Sequence, residues 1–271
     1  MKLGMIGGEG KMGRLFAPIF EKYVDEVVTS SQPVDIAKHC DIIVFTVPIE
    51  ATPEVIESLL PHIEKRHLLM DFTSLKEKPC AAMMHSQGSV IGLHPLFGPS
   101  VPSLEGQTVA LCPLRPGKWL PWLTDLLDKE GAKRIEVTPQ THDEIMALVQ
   151  SLVHFSSLLF AETLRQKGVD PQKLLEMATP VYKMQLHIAQ RITNQSPELY
   201  RAIQFENPYF LSLLEIYEKS FATLRKIVAS KDSKGFETFF NSCHTFFGKE
   251  ALEEGQKMTD QFIEVLKRNA C

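Results

Sequence analysis

Short, nearly continuous apolar runs recur through the first half of the chain, at residues 2–6, 26–29, 42–47, 68–72, 90–93, 109–112 and 135–137. They are rich in β-branched residues and too short for helices, so each predicts a strand. Between most of them lie stretches such as 11–23, 52–63 and 118–129, in which apolar positions return every three or four residues, the period of an amphipathic helix. Apolar strands alternating with helices pack as a doubly wound, mostly parallel sheet covered on both faces, with ligands at the carboxyl ends of the strands.

After Pro139 the strand signals stop. The remainder reads as helices punctuated by Pro171, Pro180, Pro197 and Pro208, each where a first helical turn tolerates proline. The expected division is an α/β domain over 1–138 and an all-α domain over 139–271. The longest helical pattern, 141–166, is apolar round most of its circumference and is expected to be buried, at a domain or subunit interface. Its most apolar window, 146–164, carries Gln150, His154, Glu162 and four Ser or Thr residues, which weigh against a membrane span. The tail, 208–270, is read as packing helices, and Met177, Met184, Phe205, Phe210 and Phe239 as core.

Composition narrows the class. With 271 residues, 44% of them apolar, the chain can bury a substantial core. Lys and Arg total 29 against 33 Asp and Glu, so no overall positive field attracts nucleic acid. The five cysteines, Cys40, Cys80, Cys112, Cys243 and Cys271, are odd in number and lack any C-x-x-C pair. That argues against a disulfide framework or a zinc module and for a reducing cytoplasm. Gly4, Gly7, Gly8 and Gly10 break the first apolar run, so no secretory leader is expected.

Gly8-Glu9-Gly10-Lys11-Met12-Gly13 is a G-x-G-x-x-G string between the first strand and the first helix. In that context it predicts dinucleotide binding by a Rossmann-type domain. Gly8 would make the tight turn, Gly10 would admit a pyrophosphate to the amides of Lys11 and Met12, and Gly13 would let helix and strand pack closely. The second strand ends in Val28-Thr29-Ser30-Ser31, without the carboxylate that commonly grips the adenosine ribose. Hydroxyls of Thr29, Ser30 and Ser31 could bind the ribose or leave room for a 2′-phosphate, so NAD is favoured narrowly over NADP. Val47-Pro48-Ile49-Glu50 and Asp71-Phe72-Thr73-Ser74-Leu75-Lys76 follow the third and fourth strands and would line the nicotinamide side. Ser74 is either a helix cap or a hydroxyl that orients substrate or base.

The fifth strand ends in Gly92-Leu93-His94-Pro95-Leu96-Phe97-Gly98-Pro99. An imidazole at the sheet's carboxyl edge can take a hydroxyl proton near neutral pH, its ordinary pKa being about 6.5. On the long helix Asp143, Gln150 and His154 fall on one stripe if every residue turns about 100°, suggesting a polar cavity. His142 is out of phase with His154, so a metal site there is not expected, and His142 is read as capping the helix start. Ser196 would cap the helix that starts at Pro197. Neither Arg191 nor Arg201 is singled out by spacing as a carboxylate clamp.

Taken together these strings resemble the prephenate dehydrogenase family, especially the dehydrogenase part of bacterial bifunctional chorismate mutase/prephenate dehydrogenases. The specific pieces are Gly-Gly-x-Gly-x-Met-Gly at 7–13, Val-Pro-Ile at 47–49, Asp-x-Thr-Ser-x-Lys at 71–76 and Gly-Leu-His-Pro-x-Phe-Gly at 92–98. His142-Asp143, Leu-x-His-Phe at 152–155 and the segment 191–200 extend it into the helical half. The resemblance implies NAD(P)-dependent oxidative decarboxylation of prephenate to 4-hydroxyphenylpyruvate in tyrosine biosynthesis. It places His94 as the base and Ser74 as the hydroxyl holding base and substrate in register. It assigns Arg191 to a prephenate carboxylate, His154 to the substrate pocket and Tyr200 to the neighbourhood where tyrosine inhibits. It also implies a homodimer through the helical domain. Because the sequence opens on the nucleotide-binding strand, mutase activity is not expected, and Leu96 stands where the family usually has Met. The alternatives are arogenate as substrate, with Glu206 or Glu198 meeting its ammonium group, and a cofactor- or tyrosine-sensing regulator without turnover.

Overall fold

The computed structural model describes residues 1–30 and 32–268, so Ser31 and Cys271 lie outside the described residues. Seven strands, β1 (Lys2–Ile6), β2 (Glu26–Ser30), β3 (Ile42–Phe45), β4 (Leu68–Asp71), β5 (Ser89–Pro95), β6 (Thr108–Arg115) and β7 (Lys133–Glu136), form one sheet in the order β2-β1-β3-β4-β5-β6-β7. The first five run parallel; β6 is antiparallel to β5, and β7 is parallel to β6. The crossovers are α1 (Lys11–Phe20), α2 (Pro33–His39), α3 (Thr52–Leu59), α4 (Glu77–Met84) and α5 (Trp119–Lys129).

The continuous apolar runs are explained by two cores, one on each face. Ile42 and Val44 of β3 join Phe16 and Phe20 of α1 and Leu123 and Leu127 of α5. Their neighbours Ile43 and Phe45 point the other way, to Ile36 of α2, Ile56 of α3 and Met83 of α4. Strict alternation on a strand buried on both sides leaves no position for a polar residue. β5 runs further than its apolar stretch, to Pro95, so His94 belongs to the strand and pairs with Ala110 of β6.

The sheet order reverses between β1 and β3, and there the chain is tightest. Gly7 has φ 82°, and a Cβ on it would stand 2.9 Å from Val47 Cγ1. The turn therefore belongs to Gly7 and not, as the motif suggested, to Gly8. Gly8 is needed for a different reason: its Cβ would meet Thr29 Cγ2 at 2.6 Å. Gly13 has the role expected of it, since a Cβ there would strike the Gly8 carbonyl oxygen at 2.2 Å.

Strands give way to helices at Pro139: α6 (Pro139–Met146), a π-helical segment (Ala147–Leu152), α7 (Val153–Lys167), α8 (Pro171–Glu176), α9 (Pro180–Thr193), α10 (Pro197–Phe205), α11 (Phe210–Ser230) and α12 (Ser233–Arg268), the last interrupted at Gly248. Thr138, Asp170 and Thr179 each cap a helix that opens on proline, accepting from the amides of Thr141, Gln172 and Tyr182. The chain forms two compact units. One is Met1–Ser151 with Glu198–Tyr209; the other is Leu152–Pro197 with the chain from Phe210 onward. By compactness the chain divides inside the long helix, after Ser151, and α10 from Glu198 onward belongs to the first unit.

The expectations about burial are met only in part. The stretch Pro139–Lys167 is long and apolar enough to cross a membrane, yet only 22% of its most apolar window is buried within the chain. A helix apolar all round has neighbours here on part of its circumference, and Leu148, Val149, Val153 and Leu159 stay exposed. Of the residues expected in the core, Phe210 is buried and Met184 and Phe239 are half-buried, but Met177 and Phe205 are 91% and 76% exposed. Helical spacing identifies an apolar face without specifying what covers it.

Replacing Gly13 with Ala forces the β1–α1 backbone apart, and overpacking of this kind costs about 1–3 kcal/mol. Urea denaturation of Gly13→Ala is expected to show a lowered midpoint; an unchanged midpoint would contradict the contact with Gly8.

Candidate functional site

The crevice between the carboxyl ends of β1 and β3 is built to take an anion. Gly10 caps α1, its amide donating to the Gly7 carbonyl at 3.0 Å, and the first helical turn carries no acidic residue. The helix therefore presents the amides of Lys11 and Met12 and a partial positive charge, with Gly10 exposed beside them. Thr29 is exposed at the end of β2; the Ser30 hydroxyl accepts from the Gln32 amide at 2.9 Å. Half-buried Val47 and exposed Pro48 form the opposite wall. A cradle without Cβ atoms at a helix N-terminus fits a dinucleotide pyrophosphate, and the lack of a carboxylate on β2 leaves hydroxyls for the ribose.

Beyond it, the Asp-x-Thr-Ser-x-Lys string folds into a buried knot. Asp71 Oδ2 accepts from the Thr73 amide at 3.1 Å, from Thr73 Oγ1 at 2.5 Å and from Lys76 Nζ. Both members of the ion pair are completely buried. Lys76 Nζ also donates to the Leu93 carbonyl at 2.8 Å, which ties the loop after β4 to the strand that carries His94. Asp71, Thr73 and Lys76 are thus structural members of a motif from which sequence reasoning had taken only Ser74.

His94 is 3% exposed. Its Nδ1 lies 2.9 Å from His142 Nε2, and His142 Nδ1 lies 2.7 Å from Asp143 Oδ1. Asp143 in turn accepts from the amides of Lys76 at 2.7 Å and Glu77 at 2.9 Å, capping α4. Asn207 Nδ2 donates to the Asp143 carbonyl at 2.9 Å. On the other side of the ring, His94 Nε2 is 3.4 Å from Gln150 Nε2, while Gln150 Oε1 is buried without a partner among the described residues. Burial first, then the electrostatic influence of the neighbouring His142 and Lys76, holds the His94 pKa well below the ordinary imidazole range. The ring is kept neutral and able to accept a proton.

His142 was expected to cap a helix start; Thr138 does that, and His142 is buried against His94. Gln150 and Asp143 are two turns apart, but the π segment interrupts the constant turn angle that had aligned His154 with them. Half-buried Ser74 makes no hydrogen bond among the described residues, and the cap of α4 that it might have supplied comes from Asp143. Tyr200 is half-buried on α10. Arg201 pairs with Glu50 at 2.7 Å, and Glu206 with Lys78 at 2.5 Å. In the helical unit, Arg191 is exposed in the last turn of α9 with no ion pair among the described residues, and burial lowers the His154 pKa to about 4. No cluster of three or more His, Cys, Asp or Glu side chains among the described residues is placed to hold a metal ion.

Residues 22–136 match the family signature "Prephenate dehydrogenase, nucleotide-binding domain", and residues 138–242 match "Prephenate dehydrogenase, dimerization domain". The chain is 34% identical to the "Probable arogenate/prephenate dehydrogenase" of Methanocaldococcus jannaschii, over 98% of this chain and 65% of that protein. It is 30% identical to the "T-protein" of Enterobacter agglomerans, over 91% of this chain and 68% of that one. It spans about two thirds of the length of these curated relatives. In fold it is similar to prephenate dehydrogenase from Aquifex aeolicus in complex with hydroxyphenyl propionate and NAD+, with TM-score 0.67, 18% identity and 98% of each chain covered.

Removing one partner of a buried ion pair strands the other charge, at a cost of about 3–5 kcal/mol. Lys76→Met is therefore expected to lose stability of that order in chemical denaturation, and the double variant Asp71→Asn/Lys76→Met to lose less. A double variant no better than the single one would show that the stranded Asp71 charge is not the cause.

Proposed function

The chain belongs to the prephenate dehydrogenase family, and on that footing we propose that it oxidises prephenate with NAD, releasing carbon dioxide and 4-hydroxyphenylpyruvate. The observation that carries this reading is the neutral, buried His94 at the carboxyl end of β5, in the same sheet whose β1–β3 crevice forms the glycine cradle.

Gly8, Gly10 and Gly13 shape that cradle, and the amides of Lys11 and Met12 hold the pyrophosphate. Thr29 and Ser30 face the ribose, and Val47 and Pro48 wall the far side. Bound there, NAD supplies the acceptor for the two electrons that leave the substrate ring. His94 Nε2 accepts the proton of the ring C4 hydroxyl as C4 is oxidised, and aromatisation drives the loss of the carboxylate. The protein thus has to position two molecules and remove one proton. Ser74 orients the hydroxyl and the base. Arg191 pairs with a substrate carboxylate, for which its planar fork is suited, and His154, neutral at physiological pH, contributes to the pocket. Tyrosine is assigned to the surroundings of Tyr200 as a feedback ligand.

The names of the relatives favour keeping arogenate, the amino analogue, as a second substrate, since one of them is called by both. Glu206, engaged by Lys78, is a weaker candidate for its ammonium group than the sequence suggested, and Glu198 remains the other. NADP in place of NAD, the homodimer through the helical half and a cytoplasmic location complete the reading. The exposed apolar residues Leu148, Val149, Val153 and Leu159 supply a surface that a second copy would cover. A sensor without turnover has no use for a buried neutral imidazole, so the enzyme is preferred.

Purified protein with NAD and prephenate is expected to raise absorbance at 340 nm. The four pairings of prephenate or arogenate with NAD or NADP identify the pair used, and four flat traces would end the proposal. His94→Asn should lower turnover by about 10²-fold or more while NAD still binds; Arg191→Ala should chiefly raise the Michaelis constant. Because the pKa of His94 is depressed, its basic form persists to lower pH than that of a free imidazole. The acid limb of kcat/KM is therefore expected below about pH 6.5, and a limb above that value would contradict the assignment.

A further inference from the structure

An imidazole buried at the end of a strand can act as a base only if the nitrogen facing the substrate carries no proton, and a neutral histidine has two tautomers to choose from. We infer that His142 and Asp143 are positioning residues that fix this choice, holding the His94 proton on Nδ1 and leaving Nε2 bare on the side of Gln150. The inference rests on the reading of His94 as the base and adds what makes it one.

Donors and acceptors alternate outward from the Asp143 carboxylate. Asp143 is 1% exposed and accepts from the Lys76 and Glu77 amides at the N-terminus of α4, partners that suit its ionised form. An ionised carboxylate only accepts, so the hydrogen between Asp143 Oδ1 and His142 Nδ1, 2.7 Å apart, sits on His142. With that nitrogen protonated, the Nε2 of neutral His142 is an acceptor. The 2.9 Å contact to His94 Nδ1 is then a bond that His94 donates. His94 Nε2 is left with a lone pair, and the nearest group there, the Gln150 amide nitrogen at 3.4 Å, is a donor, as a bare nitrogen requires.

The charged and titratable groups around the ring are His142 on α6, with Asp143 behind it, and Lys76 from the β4–α4 loop, itself paired with Asp71. Gln150, from the π segment, faces the ring uncharged. A proton on His94 Nε2 stops the reaction, in which the C4 hydroxyl proton passes to that nitrogen while two electrons pass to the cofactor. Asp143 also couples the base to the loop bearing Ser74, because the same carboxylate that orders the imidazoles holds the first amides of α4.

The test is the tautomer itself, read from imidazole 15N shifts in the unmodified protein at neutral pH, with His94 assigned by the signals missing in His94→Asn. A bare Nε2 and protonated Nδ1 on His94 are expected; a protonated Nε2 would overturn the inference even if His94 is the base. In kinetics, His142→Phe, which fills the space without an acceptor, is expected to lower kcat about 10²-fold with the Michaelis constants within about twofold. His142→Gln, whose amide oxygen can accept from Nδ1, should restore most of that loss, and both variants should keep NAD binding. Full activity in His142→Phe would overturn the inference. Full activity in His94→Asn would instead remove the base on which it rests, an outcome distinguishable because the shifts are read without turnover.

Discussion

A buried carboxylate organises this molecule's chemistry. Asp143 is 1% exposed, a place where a charge persists only if its lone pairs are met, and they are met from two directions. One is the N-terminus of α4, through the amides of Lys76 and Glu77; the other is His142, which passes the polarity on to His94. Removing the carboxylate would leave two helix amides and an imidazole without partners at once. One group serves both places, so the helix that follows the fourth strand and the imidazole at the end of the fifth are held by the same atoms.

The rest of the α/β unit keeps that group in place by rigidity. The buried pair of Asp71 and Lys76 contributes less through its Coulomb energy, which desolvation largely offsets, than through the geometry it imposes. Lys76 reaches the Leu93 carbonyl, one residue before His94, and its own amide belongs to Asp143. Loop, strand and helix start are thereby locked together at the carboxyl edge of the sheet. At the β1–β3 reversal glycines achieve closeness by the opposite means, by having no side chain: Gly13 lies against the backbone of Gly8, and Gly8 against Thr29. Loops at the edge of a doubly wound sheet carry the ligand chemistry, and here each is pinned to a strand that cannot move without opening a core.

The helical unit is governed by a different constraint. Its helices expose large apolar side chains along their length, among them Val153 and Leu159 near the unit boundary and Ile216, Phe221, Val228, Phe240 and Phe246 on α11 and α12. Within the single chain they are left uncovered. The matching family domain is described as one of dimerization, which agrees with the reading that a second copy covers part of this surface. Within the unit, Phe155 packs edge-on against Phe210 and Tyr217, so a local core exists independently of that surface.

The amino-acid sequence by itself determined the architecture: seven apolar runs became seven strands, Pro139 began the helices, and the glycine string stood at the first βα turn. Those features are legible because each depends on local periodicity or on a residue with unusual backbone freedom. His94 was legible for the same reason, through its place at a strand's end. What only the tertiary structure decided is everything that depends on residues distant in sequence. His142 looked like a cap until it met His94 across 48 positions, Lys76 had no assigned partner until Asp71 and the Leu93 carbonyl enclosed it, and Gln150 reached the imidazole from a helix turn of unusual width. Met177 and Phe205 erred in the other direction, apolar by pattern and exposed in fact. Periodicity fixes which way a side chain points from its own backbone; which donor, acceptor or surface it meets is set by how the elements pack.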